Sequence, residues 1–162
     1  ILFMEFNSNI SVKDEQHLLE KAIPSEGLAF QNYSNLTKIV VDPKSKERLL
    51  HLANDEESHV LALTSKYRKL FDQNPQTPSP KRPESILSRK LKEHISLDAK
   101  KIIKLAISEE EEAIKMYNFA AQQTGIEELE KLFLSLVGAE KSHIVVLNDE
   151  KNRIEQGVAE WI

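Results

Sequence analysis

AEKSHIVVL, residues 139–147, reads as a helix that turns apolar after its first turn, with Glu140 and His143 three residues apart. Positions i and i+3 of a helix share one face, so the acid and the imidazole both point toward whatever that face buries. Charged groups do not go inside without a partner. The stretch has a twin in DEESHVLAL, residues 55–63, where Glu56 and His59 repeat the spacing. A lone E-x-x-H is weak evidence because so short a motif arises by chance. A duplicated one demands a wider comparison of the two halves.

Sliding the chain by 84 positions lays Glu26 on Glu110, Tyr33 on Tyr117, Glu56 on Glu140 and His59 on His143 without a gap. Ala22/Ala106, Ile23/Ile107, Leu50/Leu134 and Leu63/Leu147 fall in step as well. Leu and Ala coincide easily between amphipathic helices, but Glu, Tyr, Glu and His do not. The chain is therefore read as two related halves, each with a glutamate thirty residues before its E-x-x-H.

The punctuation agrees. Only four glycines occur, and four of the six prolines lie in FDQNPQTPSPKRP, residues 71–83. Long helical runs around one break imply an all-α fold. Leu18, Leu19, Ala22, Ile23, Ala29, Phe30, Tyr33 and Leu36 recur at three- and four-residue steps and predict a first helix from about 12 to 40. Pro24 removes one of its hydrogen bonds and is expected to kink or offset it. Asp42-Pro43 is a helix start, with Asp42 as N-cap and Pro43 at the first helical position. The second helix runs to about Phe71, and ESILSRKLKEHI (84–95) can form a short helix. Asp98 caps a third run ending at Gly125, read as a left-handed stop, and a fourth run extends from about Ile126 to Val158.

If Glu26 faces Glu56 across an antiparallel hairpin, the turn falls midway, at residue 41; for Glu110 and Glu140 it falls at 125. Both positions are the turns already assigned. A helix of ~28 residues is ~42 Å long, and a return along it takes at least ~13 extended residues. Residues 72–97 suffice, so the second and third long helices can run parallel across a long crossover. The expectation is one domain over 1–162, with hairpin one at about 12–71, the crossover at about 72–97 and hairpin two at about 98–158.

Composition narrows the chemistry. The 162 residues include no cysteine, which excludes disulfides, thiolate metal sites and a cysteine nucleophile within them. A net charge of −4 from interspersed charges leaves no basic footprint for nucleic acid or an anionic membrane. No apolar run reaches the ~20 residues of a spanning helix, and ILFMEF at the start lacks a signal-peptide pattern. A soluble, cytoplasmic protein is expected.

Four helices converging on one point would gather Glu26, Glu56, His59, Glu110, Glu140 and His143. Four buried glutamates cannot all ionise unaided, and two divalent cations would resolve the conflict. Oxygen and imidazole donors suit iron, manganese or zinc. One glutamate from each of two helices plus Glu-x-x-His from each of the others is the ligand set of ferritin-like dimetal bundles. Within SEEEEA, only the repeat selects Glu110; Glu109, Glu111 and Glu112 read as a solvated acidic run, and His17, His51 and His94, which have no matching acid in the repeat, as ordinary histidines.

EGLAFQNY and EEEAIKMY, together with EESH and EKSH, resemble the rubrerythrin branch of the ferritin-like superfamily over nearly the whole chain. The resemblance implies a ferritin-like four-helix bundle of two hairpins, with two irons bound by the six residues above and Glu56 and Glu140 bridging them. Manganese and zinc stay open as alternatives. It further implies that Tyr33 and Tyr117 hydrogen-bond to the ligand carboxylates. Two departures stand out: no four-cysteine rubredoxin iron site occurs in these residues, and Ile107 replaces an additional family glutamate one turn before Glu110. The expected activity is reduction of hydrogen peroxide or dioxygen in oxidative-stress defence, with electrons from a separate rubredoxin-like protein. A ferroxidase serving iron storage or detoxification, and a non-enzymatic metal-binding helical module, are the alternatives. The two hairpins also suit a homodimer, including one that exchanges halves.

Overall fold

The computed structural model describes residues 11–76, 86–92 and 98–161. Five helices follow one another: α1 (Val12–Ile39), α2 (Pro43–Phe71), α3 (Ile86–Lys92), α4 (Ala99–Gln123) and α5 (Glu127–Glu155). No strand occurs among the described residues.

Each helix start has a local cause. Ser11 caps α1 in a reciprocal box with Asp14. Asp42 accepts from the backbone N–H of Ser45 at 2.8 Å, with Pro43 opening α2. Asp98 accepts from that of Lys100 at 2.9 Å to start α4. Pro24 sits inside α1, which is helical on both sides of it.

Pairings across the helices fix their directions. Glu26 of α1 meets His59 of α2, and Glu20 meets Tyr67, so the first hairpin is antiparallel. Between α1 and α4, Tyr33 reaches Glu110, Tyr117 reaches Glu26, and Thr124 at the end of α4 reaches Glu15. Between α2 and α5, Ser45 and Arg48 meet Glu150 while Glu56 meets His143. Every neighbouring pair is therefore antiparallel, which leaves α2 and α4 parallel, as the long crossover requires.

The apolar core is split into two. Leu36, Leu49, Leu52, Ile102, Ile103 and Leu147 belong to one cluster, with Leu87 of α3 and Trp161 of the C-terminal segment packed into it. Leu19, Leu63, Tyr67, Tyr117, Leu129 and Phe133 belong to the other. Along every long helix the E-x-x-H or glutamate position falls between them, so a polar layer separates two apolar halves.

Two helix ends differ from expectation. Gly125 is not left-handed; among the described residues the left-handed ones are Asp72 (φ 51°) after α2 and Gly157 (φ 70°) after α5. The α4–α5 turn is held from outside, because buried Glu15 of α1 accepts from the Gly125 N–H and the Thr124 hydroxyl, each at 2.7 Å. A carboxylate that satisfies the turn's donors removes the need for a left-handed cap. Correspondingly, α5 ends at Glu155 rather than Val158. Gly157 reverses the chain, and the backbone N–H groups of Val41 and Asp42 donate to the carbonyls of Trp161 and Glu160, each at 3.2 Å. Of the expected short helix over 84–95, residues 86–92 are helical and the flanks lie outside the described residues.

Candidate metal centre

All six candidate ligands meet in the polar layer. Five of them, Glu26, Glu56, Glu110, Glu140 and His143, are buried, and His59 is half-buried. Their donor atoms form two groups: Glu26, Glu56, His59 and Glu140 in one, and Glu56, Glu110, Glu140 and His143 in the other, with all atoms of a group within 4.8 Å of one another. Glu56 and Glu140 are common to both. The two imidazoles lie nearly parallel, their ring centres 5.6 Å apart, and each turns Nδ1 toward the carboxylates. His59 Nδ1 is 2.9 Å from Glu26 and 3.0 Å from Glu56. His143 Nδ1 is 3.0 Å from Glu140 and 3.2 Å from Glu56.

Without cations this cluster is poorly satisfied. Glu56 Oε1, both carboxylate oxygens of Glu140 and His143 Nδ1 are buried without a well-formed hydrogen bond, and such groups cost about 1–3 kcal/mol each. Burial, reinforced by the neighbouring carboxylates of Glu56 and Glu140, raises the Glu26 pKa to about 8. Burial and the same two charges push Glu110 well up too. Burial also opposes ionisation of Glu140, but His143 and His59 outweigh it and hold that carboxylate down at about 2. For the imidazoles, burial disfavours charge and the surrounding carboxylates overcome it, taking His59 up to about 12 and His143 to about 10. Protons thus do the neutralising that two divalent cations would do. Hard carboxylate and imidazole donors with orphaned inward-facing atoms fit a metal pair.

Tyr33 and Tyr117 cross over rather than serve their own helices. The Tyr33 hydroxyl donates to Glu110 of α4, and the Tyr117 hydroxyl donates to Glu26 of α1. Each tyrosine therefore fixes the outer glutamate of the opposite hairpin. Burial and the adjacent carboxylate raise both phenols well above their ordinary values, so they stay protonated as donors. Ile107 is half-buried against the apolar cluster.

Sequence reasoning missed two neighbours. Asp55, the residue before Glu56, places Oδ2 3.5 Å from His143 Nε2; its signal was an acid in DEESH where AEKSH has Ala139. Glu109 is not part of a solvated run: it is half-buried and accepts from Asn32 at 3.2 Å. Glu111 and Glu112 are exposed, as are His17 and His51; His94 lies outside the described residues.

Residues 17–151 match the rubrerythrin family profile. The chain belongs to the rubrerythrin family. No curated protein sequence matches it. Among solved structures, this rubrerythrin-family chain is similar to a hypothetical protein from Pyrococcus furiosus, at 24% identity and a TM-score of 0.73 over 99% of this chain and 100% of that one. CopM in its Cu(II)-bound form is 14% identical, with a TM-score of 0.72 over 86% of this chain and 96% of that one. A ferritin-like, diiron-carboxylate protein from Bacillus anthracis is 20% identical, with a TM-score of 0.67 over 88% and 99% respectively. At these identities the likeness concerns the fold, which is the ferritin-like four-helix bundle. No helix among the described residues is long and apolar enough to cross a membrane.

Proposed function

We propose that the six residues bind two iron ions and that the reduced pair passes electrons to hydrogen peroxide or dioxygen in oxidative-stress defence. The observation carrying this is the sharing of Glu56 and Glu140 between two four-residue donor groups, which would hold two metals close enough to act on one oxidant. Bound iron supplies the one-electron redox steps. The chain's own part is to fix the ligands and admit the oxidant. Glu56 and Glu140 would bridge, Glu26 with His59 and Glu110 with His143 would complete each position, and Tyr33 and Tyr117 would hold the outer glutamates in orientation. Membership of the rubrerythrin family favours iron over manganese or zinc.

Electrons would come from a separate rubredoxin-like protein in the cytoplasm, and the working unit would be a homodimer, with exchanged hairpins as one form. Stopped-flow oxidation of the anaerobically reduced, iron-loaded protein tests the reading. Faster reaction with peroxide than with dioxygen supports a peroxidase, and the reverse order removes that role.

A second reading, iron oxidation for storage or detoxification, is favoured by Ile107, which leaves a six-ligand set without the additional family glutamate. It requires a shell-like assembly. A small oligomer on light scattering would count against mineral storage. Fewer than one metal per chain after purification would favour a non-enzymatic helical module instead.

A further inference from the structure

A cavity of about 480 Å³ opens between α1 and α4, and its inner end is formed by Glu26, Glu56, Glu110, Glu140 and Tyr33. It approaches the centre from the side of the outer glutamates, and neither imidazole lines it. Ligand pockets occupy ~300–1,000 Å³, whereas one water molecule has a share of only ~30 Å³. A path for hydrogen peroxide or dioxygen alone needs far less room, and two metal ions would fill only the inner end.

The walls are as informative as the volume. Leu28, Ala29, Leu105, Ala113 and Met116 face the space from α1 and α4, and Leu87 of α3 closes one side. Polar groups gather at the inner end and at Ser25, Asn32, Ser108, Glu109 and Glu112. α3 is bolted across by Ser88, whose hydroxyl donates to Asn32 Oδ1 at 2.7 Å, while the Asn32 amide donates to Glu109. Leu28 is half-buried, lines the cavity and, among the described residues, packs with neither apolar cluster.

From this we infer that the centre takes organic hydroperoxides, with the apolar part of the molecule held between α1 and α4 and the peroxide group at the inner end. The inference rests on the redox reading above. The O–O bond of ROOH breaks, two electrons arrive from the reduced iron pair, one from each ion, and two protons from solvent complete ROH and water.

The test uses cumene hydroperoxide and hydrogen peroxide with the reduced iron-loaded protein, and 2-phenyl-2-propanol, the product alcohol, with the metal-free protein. The alcohol should bind saturably by NMR titration, with shifts confined to the residues that line the cavity. Leu28→Trp, which fills the cavity, should abolish that binding and slow cumene hydroperoxide about tenfold more than hydrogen peroxide, within the range that pocket size controls. Leu28→Ala, which needs no extra room to fold, should change the ratio of the two rates in the opposite direction. Absence of saturable binding, or equal slowing of both peroxides, overturns the inference. If hydrogen peroxide itself fails to oxidise the centre, the redox reading falls, and the alcohol titration still decides whether the cavity accepts an organic molecule.

Discussion

Glu140 and Glu150 sit ten residues apart on α5, and each is 1% exposed, yet their surroundings differ completely. Glu150 receives the Ser45 hydroxyl, the guanidinium groups of Arg48 and Arg153, and the Trp161 indole N–H at 3.4 Å. Arg48 also reaches Asp149, and Arg153 reaches Asp42 at 3.2 Å. Glu140 has two orphaned oxygens and only imidazoles and other carboxylates nearby. One buried charge is paired by fixed cations and ties α5 to the start of α2 and the C-terminal segment. The other has no fixed cation beside it and is a candidate for cations from solution. Burial alone therefore does not identify a metal ligand; the state of the partners does.

Removing each carboxylate should break the molecule in a different way. Glu140→Ala deletes a group shared by both donor sets and should take the metal content from two ions per chain to none, by metal analysis after dialysis. Retention of two ions would show that Glu140 is not shared. Glu150→Gln should keep both metals but leave Arg48 and Arg153 short of a partner. A fully buried broken pair costs about 3–5 kcal/mol; because both arginines are partly solvated, a loss of about 2 kcal/mol in urea unfolding is expected. An unchanged midpoint would mean the Glu150 network is decorative.

The pH dependences should also run in opposite directions. Burial opposes the Glu150 charge, but Ser45, Arg153 and Arg48 prevail and lower its pKa. Its contribution is present above the unfolded value of ~4.3 and is lost as pH falls through the lower folded value. Glu26, raised to about 8, behaves inversely: its contribution is present below ~4.3 and is lost as pH rises through about 8. The raised pKa values of His59 and His143 act in the same sense above ~6.5. The metal-free protein should consequently melt at lower temperature at pH 8 than at pH 5.5. Added metal displaces the protons, so its stabilising shift should grow over the same interval. A metal-free melting temperature that climbs from pH 5.5 to 8 would contradict the cluster's electrostatics.

What could be read from the sequence, and what could not, divides along the same line. The six candidate ligands recur at one offset, and the midpoints of the Glu26/Glu56 and Glu110/Glu140 pairs place both hairpin turns, so the bundle and the six convergent residues were legible. The Glu150 network has no counterpart: Glu150 would correspond to Lys66, and Arg48 to Leu132. Its partners come from α2, α5 and the C-terminal segment, and only folding brings them together. Glu15 is hidden for the same reason, since it meets Gly125 across a separation of 110 residues. Asp55 breaks the repeat inside the motif itself, facing Ala139 in the other half. Its removal gives the smallest expected effect: Asp55→Ala should weaken metal binding at the position served by His143 by about tenfold, since groups that orient a ligating histidine contribute ~10–100-fold to affinity. Equal loss at both positions in a stepwise titration would deny Asp55 that selective part.

The most direct test of the central claim is Mn(II) titration followed by electron paramagnetic resonance, because the signal reports whether two ions share ligands. Two ions held by common carboxylates lie ~3.5–4 Å apart and are exchange-coupled. The arrangement around Glu56 and Glu140 predicts saturation at two Mn(II) per chain with a coupled multiline spectrum. Saturation at one ion, or two ions giving only the six-line spectrum of isolated Mn(II), would contradict it.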